Sequence, residues 1–172
     1  AEDHEFGQFV YVQKKIAGEE RVFVGVIYNT KLVDPEQGRV GPSLSQPDNQ
    51  ELFNPSYVEE RKVIVGVVLL GRAQVVDGEL VDVSHSIPRQ SLEVDDVVRK
   101  LPDDGFDSFH QICGEVQLQY YQRVLDVAGG FAEDILSQIL SRLKQSFSEE
   151  REALDVIQRN LEWETKMRGV ER

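Results

Sequence analysis

Two apolar runs, each interrupted by a glycine, dominate the first hundred residues: Phe23-Val24-Gly25-Val26-Ile27-Tyr28 and Val63-Ile64-Val65-Gly66-Val67-Val68-Leu69-Leu70-Gly71. Both are β-branched and apolar at odd and even positions alike, which predicts strands covered on both faces. A mid-strand glycine predicts a bulge or close backbone approach, the means by which a small sheet curls. Glu5 to Gln13 reads as a preceding strand, with a turn at Ala17-Gly18-Glu19. Asp77-Gly78, between Val75-Val76 and Leu80-Val81, is the strongest hairpin signal in the chain. Proline, glycine and asparagine break any regular pattern across an insertion at about 31–57, and loops longer than about 15 residues are usually functional or disordered.

From Glu93 onward the apolar period changes from two toward 3.6. A short helix is expected at Val94 to Val98, ending before Pro102. A second is expected from Ser108 to Ala128, with Phe109, Ile112, Val116, Tyr120, Val124 and Val127 on one stripe and Gly129-Gly130 ending it. A third stripe carries Phe131, Ile135, Ile139, Leu143 and Phe147 and continues through Leu154, Ile157 and Leu161. Ser146 with Glu149 would restart the helix through a capping box. The expected fold class is α+β: a small antiparallel β-barrel over 1–92, then an α-helical region over 93–172 forming a helical hairpin or one long helix. A single helix from Phe131 to Met167 would extend about 55 Å at 1.5 Å per residue. A small barrel cannot cover that length, so those eight stripe residues are also the expected docking or self-association face.

The formal net charge of −12 is evenly spread. An acidic chain gains nothing from counterion release on nucleic acid or from anionic lipid, so direct binding to either is disfavoured. One cysteine, Cys113, excludes an internal disulfide and fits a reducing cytoplasm. No apolar run approaches the ~20 residues of a membrane span, and no signal peptide opens the sequence.

Candidate chemistry is sparse. Gly38-Arg39-Val40-Gly41-Pro42-Ser43 lacks the lysine and the strand-to-helix context of a phosphate loop. His110 and Cys113, three apart on an expected helix, are two ligands where zinc needs three or four. Cys113 reads as a buried small residue and His110 as a helix N-terminal one. No nucleophile elbow is present. Asp95-Asp96, Asp103-Asp104 and Glu149-Glu150 suit helix starts. No catalytic, cofactor or metal residues are therefore assigned, and the chain is expected not to be an enzyme. The alternative is a ligand-binding protein or enzyme using the insertion as a site loop, with Asp34, Arg39 and Tyr57 as its polar groups.

Gly7-Gln8-Phe9-Val10, Val24-Gly25-Val26-Ile27-Tyr28, the run from Val63 to Gly71, and Ile87-Pro88-Arg89 followed by Val94 with Asp95-Asp96-Val97 together resemble the HAS-barrel. This small barrel opens HerA-type DNA-translocating ATPases and the catalytic subunits of rotary ATP synthases. The resemblance covers roughly residues 5 to 100. The family has a further strand ahead of the first of these elements, and its ATPase members continue into a Walker-bearing domain that is replaced here by helices. The resemblance implies an assembly module without the motor, with a protein partner, by analogy a HerA-type ATPase, or a second copy of itself. A role as a DNA-processing accessory factor rests on the same analogy alone.

Overall fold

The structure is a computed structural model, and it describes residues 4–33, 62–89, 91–93 and 95–170. Strands β1 (Phe9–Ile16), β2 (Glu19–Val33), β3 (Lys62–Val76) and β4 (Glu79–Ser84) follow one another as antiparallel neighbours, and β5 (Arg99–Lys100) pairs with β1 at the far edge. The sheet order is β4-β3-β2-β1-β5. The sheet is open: no pairing between β4 and β5 closes it among the described residues.

The turns follow from their sequences. Ala17-Gly18 and Asp77-Gly78 both place two successive residues at positive φ, the geometry of the two-residue hairpin whose twist matches the flanking strands. Gly25 sits at a register shift in the β2–β3 ladder, where Leu70 is an extra residue on β3. A second shift follows at Tyr28, an extra residue on β2 just before Asn29 pairs with Gly66. The two bulges lie on opposite strands, so the register lost at the first is regained at the second. Bulges increase local twist, as the glycines led us to expect.

The alternation of β2 sorts the chain into two layers. Val22, Val24 and Val26 share a core with Phe9, Val68, Leu70 and the helices. Phe23 and Ile27 point the other way and are also buried. That second face meets the connector from β4 to β5, because β4 and β5 lie at opposite edges and the chain must cross between them. Lys14 of β1 holds Asp96 of this connector at 2.7 Å.

The helical half departs from expectation in two places, and in a third it decides between the two alternatives given for the C-terminal region, against one long helix. Asp95 and Asp96 form a turn rather than part of a helix. The expected helix from Ser108 to Ala128 is two helices, α1 (Asp103–His110) and α2 (Tyr121–Ala128), separated by a hairpin of β6 (Gln111–Ile112) and β7 (Glu115–Val116). Cys113 and Gly114 both have positive φ there, the same signature as the other two hairpins. The long helix is broken at Phe147, whose ψ of 72° leaves the helical region, into α3 (Ala132–Ser146) and α4 (Arg151–Val170). Lys144 ties the two together, 2.6 Å from both Asp155 and Gln158.

One cluster of buried side chains joins the sheet to α1, α2, α3 and α4. The line at residue 92/93 therefore separates two kinds of secondary structure that share a core.

Candidate functional site

Two histidines are buried at the sheet–helix boundary. His110, at the C-terminal end of α1, is 2.7 Å from the Phe106 carbonyl through Nδ1 and 2.6 Å from the Tyr120 hydroxyl through Nε2. A carbonyl only accepts, so Nδ1 carries the proton, and Nε2 accepts from Tyr120. Burial lowers the His110 pKa; the Phe106 carbonyl opposes this and His85 and Arg142 add to it, leaving it at about 3. Burial likewise raises Tyr120 well above the ordinary tyrosine range. His85 donates from Nε2 to the Phe109 carbonyl at 2.9 Å, while its buried Nδ1 has no partner. Its pKa is lowered, first by burial, with Phe109 raising it and Arg123 lowering it further. These rings pack against Phe106, Phe109 and Phe9. The cluster is closed to solvent, with one proton of each histidine held by a carbonyl and the Tyr120 proton by His110 Nε2, an arrangement that ties β4 and α1 together.

Arg123 of α2 completes this boundary. It donates to the Leu69 and Leu70 carbonyls at 2.9 and 3.2 Å and to the His85 carbonyl at 3.0 Å. Leu70 is the extra residue of the first bulge, so the guanidinium satisfies backbone oxygens at the point where the ladder is interrupted.

On the opposite face, Arg21, Arg72, Ser86, Ile87, Pro88 and Arg89 line a cleft of about 510 Å³. Arg72 pairs across the ladder with Phe23, which places it on the same face as Arg21. The Arg21 guanidinium reaches Glu19 only at 3.5 Å, and its buried Nε has no partner. No described carboxylate pairs with Arg72 or Arg89.

The residues expected to form the docking face separate into two groups. Ile135, Ile139, Leu143, Leu154 and Leu161 are buried in the chain's own core, and Phe147 and Ile157 pack against it. Phe131 is 51 % exposed and stacks edge-on against Phe6. The exposed apolar surface of α4 is instead formed by Val156, Trp163 and Met167, which are 52, 64 and 51 % exposed. At 3.6 residues per turn these three fall within roughly 40° of one another. They lie on the far side of the helix from Leu154 and Leu161. A second apolar set at spacings of seven and four was readable in the sequence, but the stripe facing the core masked it.

His110 and Cys113 do not meet as a metal pair: His110 is buried and Cys113 is exposed at the tip of the β6–β7 turn. No group of three or more His, Cys, Asp or Glu able to hold a metal occurs among the described residues. Asp34, Arg39 and Tyr57 lie outside the described residues. No described helix is long and apolar enough to cross a membrane.

A family model with the description "Domain of unknown function (DUF8166)" matches residues 1–171. No curated protein and no solved structure matches the chain.

Proposed function

Since the chain belongs to the DUF8166 family, whose description assigns no activity, we propose from its geometry that it is a non-enzymatic assembly module whose contact surface is the outer face of α4. The observation that carries this is the second apolar stripe. α4 already spends Leu154 and Leu161 on its own core, yet presents Val156, Trp163 and Met167 to solvent. Contiguous exposed apolar surface of this kind marks interaction sites. The glycine bulges and the burial of both sheet faces support the likeness to a HAS-barrel module, with the barrel itself part of this proposal.

The test compares the wild type with Trp163→Lys by sedimentation, each labelled and run alone and in extract of the source cells. Trp163 lies outside the core, so both chains are expected to melt within about 1 °C of each other, as surface substitutions usually do. The wild type is expected to sediment as a larger species that the variant does not form. Identical sedimentation of the two in both settings would refute the reading.

The arginine cleft favours a second reading, as a binding site for a phosphate-rich anion. Three guanidiniums converge there in a chain of net charge −12, and bidentate recognition of phosphate is the chemistry to which the guanidinium fork is suited. Inorganic triphosphate at a hundredfold excess over its dissociation constant would add about 2.7 kcal/mol. The wild type is then expected to melt roughly 5–10 °C higher with the anion present, and the Arg72→Glu chain to show no shift. Equal shifts in both chains, or none in either, would remove the cleft from consideration.

A further inference from the structure

We infer that the outer face of α4 pairs with the same face of a second copy of this chain, in parallel and in register, with Asn160 against Asn160; this rests on the assembly reading above. The argument begins with spacing. Ala153, Val156, Asn160, Trp163 and Met167 follow one another at intervals of three, four, three and four, and all are exposed. That is the seam of a coiled coil, with Ala153, Asn160 and Met167 at one set of core positions and Val156 and Trp163 at the other. The seam is apolar except at its centre. A lone asparagine there costs stability when it faces an apolar side chain, and fixes register when it faces its own copy.

The flanking charges choose the direction. In a parallel pair, Arg159 of one copy lies beside Glu164 of the other, and the symmetry makes this contact twice. Neither residue has an ion-pair partner among the described residues. An antiparallel pair brings the line of Glu152, Arg159 and Lys166 against itself. Of the two registers that overlap most of the stripe, one sets Arg159 against Lys166 of the other copy and the other sets Arg159 against Arg159, with Glu152 facing Lys166; only the parallel pair puts no like charges together.

An independent feature lies alongside. Leu118, Tyr121, Ile157, Asn160 and Glu164 line a groove of about 250 Å³ between α2 and α4, and the buried Tyr121 hydroxyl there has no hydrogen-bond partner. Arg159 of the second copy, in reaching Glu164, lies along the open side of this groove. Two heptads are short for an isolated coiled coil, but α4 is already folded against its own core through Leu154 and Leu161. The pair therefore forms without the cost of ordering the helices.

The full chain is tested in a Cys113→Ser background, since Cys113 is the sole cysteine and is exposed. Asn160→Cys is expected to form a covalent dimer under mild oxidation, and Gln158→Cys, off the seam, is expected not to. By sedimentation equilibrium, Arg159→Glu is expected to raise the dimer dissociation constant about tenfold, from two exposed pairs turned repulsive, and Arg159→Glu with Glu164→Arg to restore it. A dimer that fails to cross-link at position 160, or that tightens with Arg159→Glu, overturns the parallel register while leaving α4 as the contact face. A chain that stays monomeric at about 100 μM overturns the second copy as occupant; the comparison of Trp163→Lys in cell extract then decides the assembly reading separately.

Discussion

The Gly25→Val chain is expected to melt about 10 °C below the wild type, or not to fold at all. A Cβ at position 25 would lie 2.3 Å from Val67 Cγ1 and 2.8 Å from the Val68 carbonyl oxygen. The side chain of Val67 can turn away, but the carbonyl belongs to the backbone of the neighbouring strand. Relief requires β2 and β3 to separate at the first bulge, in the middle of the sheet. Overpacking of a core typically costs 1–3 kcal/mol, and a clash with backbone belongs at the upper end, near 3 kcal/mol. For a chain of this size each kcal/mol moves the melting point by roughly 2–4 °C. Gly66→Ala is the control. Its new Cβ would meet the Tyr28 ring and Asn29 Cβ at 3.1–3.2 Å, and the ring can give. Circular dichroism melts of the two variants should therefore differ by several degrees, and an unchanged melt for Gly25→Val would contradict the close approach described.

Stability is expected to fall as the pH drops below about 6.5, and His110→Gln is expected to flatten most of that fall. His110 is neutral in the fold, with its pKa lowered from 6.5 to about 3. The unfolded chain takes up the proton near pH 6.5 while the folded chain does not. The contribution of the neutral imidazole is thus complete above 6.5 and is lost progressively as pH falls toward 3. At pH 5 the loss from this residue is about 2 kcal/mol. His85, also lowered, acts in the same direction. The depressed carboxyls Asp96 and Asp155 start from 3.8, so their losses come at more acid pH and leave pH 5 to the histidines. His110→Gln also costs about 1–3 kcal/mol at pH 7, because the Phe106 carbonyl or the Tyr120 hydroxyl loses a well-placed partner inside the core. Urea titrations at pH 7 and pH 5 on both chains give the two numbers. A wild-type chain equally stable at both pH values would show that His110 is not held neutral by burial.

What the sequence revealed depended on how local its determinants were. The glycine-interrupted strands and the Asp77-Gly78 hairpin were legible because φ > 0 at a turn and close approach at a bulge each demand particular residues at particular positions. Cys113-Gly114 carried the same signature and was missed. The apolar residues Ile112, Val116 and Tyr120 happen to continue a helical period through it, and the longer pattern overrode the shorter one. The break at Phe147 was half-legible: Ser146 and Glu149 marked a restart in the sequence, although the turn there carries no side-chain cap, and nothing local decided between a restart and a continuous helix. The functional residues were the least legible. Burial is a property of the assembled core, so the sequence did not tell the inward stripe from Ile135 to Leu161 apart from Val156, Trp163 and Met167, which are left facing water. The arginine cleft depends on Arg21, Arg72 and Arg89, which are brought together only when the β4–β5 connector crosses the sheet.

Arg123 has one more consequence. At the bulge the Leu69 and Leu70 carbonyl oxygens accept from Arg123 of α2, so lifting the helices away takes those hydrogen bonds from the sheet. Conversely, α2 loses its anchor if the bulge straightens. Together with the core that the sheet shares with all four helices, this makes a single unfolding transition the expected behaviour, with melts followed by backbone and by aromatic signals coinciding.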